Sequence, residues 1–321
     1  MKAFKNPTMR YAISLAASWA WGVSLVVGMQ TVQEKGMIPF WIWAIANSLA
    51  LPMFGFIAYR IPNFERVIHN KIVQLFMTGI MVFCLWIQMN AIRQILGSTG
   101  LFGDTMCKAI PIVLALLLTA GLYTDGLVRN ILLDNPLWIG CYILLIVIMV
   151  YGFVTGQPRY EIVAVQAPEE INWALNSTLI LFAGPIMNIQ NWQMAEKLHK
   201  EKAMNAHLLA GIIFGIYMLF VYILSFLKFD TFMNILLVPV ILCITLTTAD
   251  AAIVGMQRIG GRNIGTVLSL LAIIFWKNLQ DIGVLELWTI MGNARLHVAV
   301  ICIIVALLIT VIEKKKTKEV R

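Results

Sequence analysis

The sequence predicts an all-α protein that crosses a membrane many times. Hydrophobic residues make up 60% of it and charged residues only 12%. Mean hydropathy is +0.84 over 321 residues, more apolar surface than a soluble domain of this size can bury. The apolar residues are also gathered into runs close to the ~20 residues a helix needs to cross the hydrocarbon core.

Ten such runs are expected, at 11–33, 38–59, 72–96, 108–127, 136–155, 172–195, 206–227, 232–257, 263–280 and 296–312. The first contains LAASWA, which resembles the end of a cleaved leader, but its apolar run continues well beyond and is read as retained. With the N-terminus cytoplasmic, 17 of the 24 Lys and Arg residues fall on the cytoplasmic side. Seven fall outside: Lys35, Arg93, Lys108, Arg159, Lys228, Lys277 and Arg295. That bias places both termini on the inner face of the plasma membrane. It also accounts for the net charge of +8 without nucleic acid as a partner.

The polar stretch QPRYEIVAVQAPEE opens an external connection, 157–171, between halves 1–156 and 172–321. Each half holds five spans, and an odd number makes the second half enter from the opposite side, as an inverted repeat does. Cys84, Cys107, Cys141, Cys243 and Cys302 have no CxxC spacing and read as small hydrophobes. The four histidines lack ligand spacing, so no resident metal is expected. Nor is an enzyme: the spans contain no nucleophile–base pair, phosphate loop or paired carboxylate, and Asp281 and Glu286 fall in an outer connection.

The first spans of the two halves carry helix breakers. SWAWGVSLVVGMQ places Ser18, Gly22, Ser24, Gly28 and Gln30 in one crossing, and LFAGPIMNIQN places Gly184 and Pro185 in the sixth. Breaks free backbone groups that hydrocarbon cannot satisfy, so they survive where they are buried or line a cavity. Counting from Arg10, Lys197 and Arg258 puts Gly22, Pro185 and the pair Thr247–Thr248 at one depth, about 15–18 Å from the cytoplasmic charges. Any one of these features alone reads as close packing or as a hydroxyl bonded to its own helix, whereas all three at one depth point to a binding site. Asp250, in LTTADAAIVG, is an ionisable residue inside a span and the candidate for proton coupling; pairing with Arg258 or Arg262 is the alternative.

ASWAWGVSLVVGMQTVQEKG, TLTTADAAI and GPIMNIQNWQMAEK resemble the first, eighth and sixth core helices of the sodium:solute symporters, members of the APC superfamily. The resemblance covers about a fifth of the chain and corresponds to the ten-helix core of that family. It implies the LeuT fold, a 5+5 inverted repeat with helices 1 and 6 discontinuous, and alternating access. It also implies a sodium site formed by the carbonyls of Ala17, Ala20 and Ile244 and the hydroxyls of Thr247 and Thr248. A small polar solute would lie against Trp19, Trp21, Gly22, Gln30, Gly184, Asn188 and Asn191, with Gln88 or Asn90 from the third span. Hard oxygen ligands suit Na⁺ as coupling ion.

Three other readings remain open: a nucleobase permease using the tryptophans and amides, a proton-coupled permease, and a ligand-sensing or scaffolding subunit. A metal-ion transporter ranks lower, because the first break lacks a carboxylate, despite Met187 as a soft ligand. LQDIGVLELWTIMG (279–292) is too short to span and reads as an interfacial segment with Trp288 at the headgroups, or as a gate over the site.

Overall fold

A computed structural model describes residues 6–60, 64–122, 126–157, 167–198 and 200–319, which are helices and connecting turns with no β-strand among them. Lys2, Lys5, Arg159, Arg321 and most of the connection 157–171 lie outside the described residues. The helices are α1 Pro7–Trp19, α2 Gly22–Gln30, α3 Met37–Arg60, α4 Phe64–Ile68, α5 Lys71–Ser98 and α6 Asp104–Gly121. They continue as α7 Gly126–Val154, α8 Pro168–Ile186, α9 Ile189–Lys197, α10 Lys200–Leu224, α11 Thr231–Phe275 and α12 Val284–Glu319.

Local chemistry sets the starts. The Asn6 side chain accepts from Thr8 N ahead of Pro7, Asn70 from Ile72 N, and Asp230 from Met233 N, so each caps an otherwise unsatisfied amide. α8 opens with Pro168, Glu169 and Glu170, which suit the positive end of its dipole.

Among the described residues, seven helices are long and apolar enough to cross a membrane, and an eighth crossing is added if α1 and the following segment to Lys35, bent by 58°, count as one. The remaining two expected runs take other forms. Run 172–195 is divided between α8 and α9. Run 263–280 lies past Gly261, where φ 78 and ψ 165 turn the chain inside α11, and its helical part ends at Phe275. That left-handed backbone needs glycine.

α11 packs against α5 and α7, α3 lies between α8 and α10, and α1 sits among α7, α10 and α11. α1 is enclosed from Ala12 to Trp19, whereas Ile72, Leu75, Val154 and Ile274 point outward, as lipid-facing residues do. Ion pairs join residues that the expected alternation assigns to the same end: Lys35 to Glu170 (2.5 Å) at one, and Glu196 to Arg258 (3.1 Å) and His69 (3.2 Å) at the other.

Two expectations from the sequence are corrected here. The last span does not begin at 296; α12 starts at Val284, so segment 284–292 is part of a membrane helix. Trp288, in the second turn of α12, is buried against the other helices at 5% exposure rather than lying on an exposed interfacial segment. Arg295, assigned above to the outer face, lies about 16 Å along α12 from Val284, near the middle of the crossing, at 2% exposure. A charge and neighbouring Asn293 and His297 depress hydropathy and mimic a loop.

Candidate functional site at two broken helices

The first break is at Ala20 and Trp21. Ala20 N–H closes α1 on Ala16 O (3.0 Å) and Ala17 O (3.2 Å), and Trp21 turns to φ −58, ψ 152 before α2 begins. The new N-terminus is held by Gln88, whose Oε1 accepts from Gly22 N at 3.0 Å. A Cβ on Gly22 would lie 2.7 Å from Thr245 Cγ2 and 2.9 Å from Ala91 Cβ, so glycine here provides close packing rather than the bend itself.

The second break is at Met187 and Asn188, just past Pro185. Asn188 Oδ1 accepts from Gln190 N (3.0 Å), Asn191 Nδ2 donates to Pro185 O (3.1 Å), and Trp192 Nε1 donates to Ile186 O (2.8 Å). The polar residues after the Gly-Pro pair thus satisfy the backbone groups that the break exposes.

α11 brings two adjacent hydroxyls to the end of α1. Thr247 Oγ1 lies 3.1 Å from Ala17 O and 2.9 Å from Ile244 O, and Thr248 Oγ1 lies 3.2 Å from Ser18 O and 3.3 Å from Ile244 O. Each hydroxyl has one proton and so donates to one of its two carbonyls at a time. Its lone pairs, with the carbonyls, make an all-oxygen cluster between the two helices. Asp250, at 1% exposure, follows three residues after Thr247 on the same helix.

Beside this cluster, Trp19, Trp21, Trp43, Asn47, Trp288 and Arg295 wall a cavity of ≈ 10 Å³, room for about one water. Trp19 Nε1 donates to Asn47 O at 3.1 Å, and the Arg295 guanidinium lies 5.0 Å from the Trp21 ring centroid. A Cβ on Gly184 would fall 2.4 Å from Trp19 Cη2 and 3.5 Å from Arg295 Nη1, so the second broken helix touches the same wall.

Most sequence-predicted residues meet here. Ala17, Ile244, Thr247 and Thr248 are in direct contact, Ala20 ends the same helix, and Trp19, Trp21, Gly22, Gln88 and Gly184 surround the first break. Asn188, Asn191 and the fully buried Met187 form the second break. Gln30 does not join them: it is exposed at the far end of α2, about 12 Å along the helix from Gly22. Asn90 also lies elsewhere, donating to Leu279 O and Ile282 O and accepting from Trp276 Nε1, which fastens the chain after α11. Arg258 is held by Glu196 of α9.

Sequence reasoning missed Arg295 and Asp134. Asp134 is fully buried in α7, accepts from the Ser14 hydroxyl of α1 through Oδ2, and its Oδ1 finds no partner among the described residues. The Asp-Asn-Pro spelling at 134–136 reads as a loop, and only the fold shows it as helix.

No protein-family model and no curated protein matches this sequence. What the fold defines is a polytopic helical membrane protein with two interrupted helices meeting at a buried polar junction.

Proposed function

We propose that the protein is a secondary active transporter of the LeuT-fold, sodium:solute-symporter type, moving a small polar solute by alternating access. Ten crossings would be arranged as two inverted halves, with α1–α2 and α8–α9 as the discontinuous helices. One observation carries this reading: Thr247 and Thr248 present their hydroxyls to consecutive carbonyls, Ala17 and Ser18, beside the first break. Neutral oxygens from two helices that must part for the site to open are suited to Na⁺, whose binding would bias the open and closed states. The tight cavity and the ion pairs Lys35–Glu170 and Glu196–Arg258 at opposite ends are consistent with a closed intermediate.

A proton-coupled variant is favoured by one further contact, that of buried Asp134 with Ser14 on α1. Uptake into proteoliposomes separates the two. Flux that is unchanged when choline replaces Na⁺, yet collapses in Asp134→Asn, would overturn sodium coupling in favour of protons. Solute binding with no flux under either gradient would leave the sensor or scaffold reading.

A further inference from the structure

We propose that the cavity at the first break binds the carboxylate of a small monoanionic organic solute, with Arg295 as its counter-charge. The inference rests on reading this junction as a solute site and adds the solute's chemical class.

Arg295 is a guanidinium in mid-membrane at 2% exposure. Among the described residues no carboxylate lies within 4.0 Å of it, and its Nε has no hydrogen-bond partner. An uncompensated charge in such surroundings is costly, and charged residues inside membranes occur where a partner or ligand is present for part of the cycle. Cys84 is not that partner, because its thiol donates to Met291 Sδ at 3.8 Å.

The neighbours extend the pattern. The other buried atoms of this wall left without partners are Trp21 Nε1, Trp43 Nε1 and Asn47 Nδ2, and all are donors. Ser24, on the same wall, adds a hydroxyl that can donate or accept, and the lining residues include no carboxylate. Native proteins seldom leave buried donors unsatisfied, and four donors around one void describe the imprint of an acceptor-rich group. α2 starts at the same wall, at Trp21, and although Gln88 Oε1 accepts from its Gly22 N, the positive end of its dipole adds to the field.

The charge count selects the class. One guanidinium balances one carboxylate and matches its planar fork, whereas a dianion would remain half-compensated. An amine would place a second cation beside the Arg295 guanidinium, and the ammonium of an amine or a zwitterion would meet no carboxylate among the lining residues. Leu181, Trp19 and Trp288 supply the apolar remainder of the wall, which suits an aliphatic or aromatic tail. Because the void holds about one water, the solute enters when the broken helices separate.

The test uses the purified full chain in detergent, with melting temperature and calorimetry as readouts. The probes are butyrate and phenylacetate, butylamine and phenethylamine, phenylalanine, and phenyl phosphate. Butyrate or phenylacetate is expected to raise the melting temperature in a saturable way, with little effect from the amines. Arg295→Met, which removes an uncompensated charge, is expected to melt as high as the wild type without ligand and to bind the carboxylate roughly thirty-fold or more weakly. If that variant does not fold, Arg295→Lys keeps the charge but not the fork and should bind detectably more weakly. Carboxylate binding unchanged in Arg295→Met or Arg295→Lys, no stabilisation by either carboxylate, or stronger stabilisation by an amine would each overturn the proposal. Flux is measured separately: carboxylate binding without transport overturns the transporter reading alone, and transport of an amine without carboxylate binding overturns this inference alone.

Discussion

Gly184→Ala tests whether the two broken helices are packed as tightly as described. The added methyl would lie 2.4 Å from Trp19 Cη2 and 3.0 Å from Cζ3. Ordinary carbon contacts are ~3.5 Å or longer, so the indole must retreat by about 1 Å. It is not free to do so, because Nε1 is bonded to Asn47 O at 3.1 Å and its edge meets Trp21, with centroids 6.4 Å apart. Overpacking costs about 1–3 kcal/mol and a weakened hydrogen bond about 0.5–1.5, against a gain of about 1 for replacing glycine in a helix. The net is a destabilisation of roughly 0.5–3.5 kcal/mol, a few degrees in melting temperature. Gly79→Ala is the matched control, since a Cβ there meets nothing within 4 Å on a lipid-facing position of α5. It should be neutral or stabilising by up to ~1 kcal/mol. Melting both variants in the same detergent decides the matter. If Gly184→Ala melts at or above Gly79→Ala, the close approach of α8 to Trp19 is wrong. Adding Trp19→Phe, a smaller ring, should recover part of the loss, because the two positions touch and their effects do not add.

Thr247→Val and Thr248→Val keep the side-chain shape and remove the hydroxyls, so each should cost about 0.5–1.5 kcal/mol. Any stabilisation by Na⁺ over choline should vanish in the double variant, and its persistence would refute the α1–α11 sodium site. Asp230 gives a pH prediction. Its carboxylate accepts from Met233 N (2.8 Å), Gln157 Nε2 (2.7 Å) and the Tyr151 hydroxyl (2.9 Å), and the Met233 amide is the chief cause that holds it below the ordinary carboxylate range. A group lowered in the folded state contributes fully above its unfolded value and loses that contribution as pH falls through the folded one. The wild type should therefore melt above Asp230→Asn at neutral pH, and the gap should close as pH falls below the ordinary carboxylate value; a gap that widens in acid would contradict the assignment.

What the sequence made legible follows from what hydrocarbon demands. Apolar runs of membrane length had to be helices, and Gly22 and the Gly184–Pro185 pair pointed to interruptions within about one turn of those observed at Ala20–Trp21 and Met187–Asn188. The offset is physical. Gly22 serves contact with Thr245 and Ala91, while Pro185 stays helical and its carbonyl is met by Asn191, so the chain breaks beside each residue rather than at it. The junction of Thr247 and Thr248 with α1 was legible because hydroxyl pairs and breaks fell at one depth. Arg295, Asp134 and Trp288 were not, and they share a cause. Hydropathy treats a charge or a polar cluster as the edge of a span, so the groups it assigns to loops include those held inside the membrane at a cost. The ionisable residues that violate the apolar pattern are where local preference has yielded to another requirement. Asp134 touches α1 at Ser14, nearly two turns before the first break, and Arg295 stands against the ring of Trp21 within it. Two independent exceptions converge on the same broken helix, and that convergence is what connects the charge pattern of this chain to the movement proposed for it.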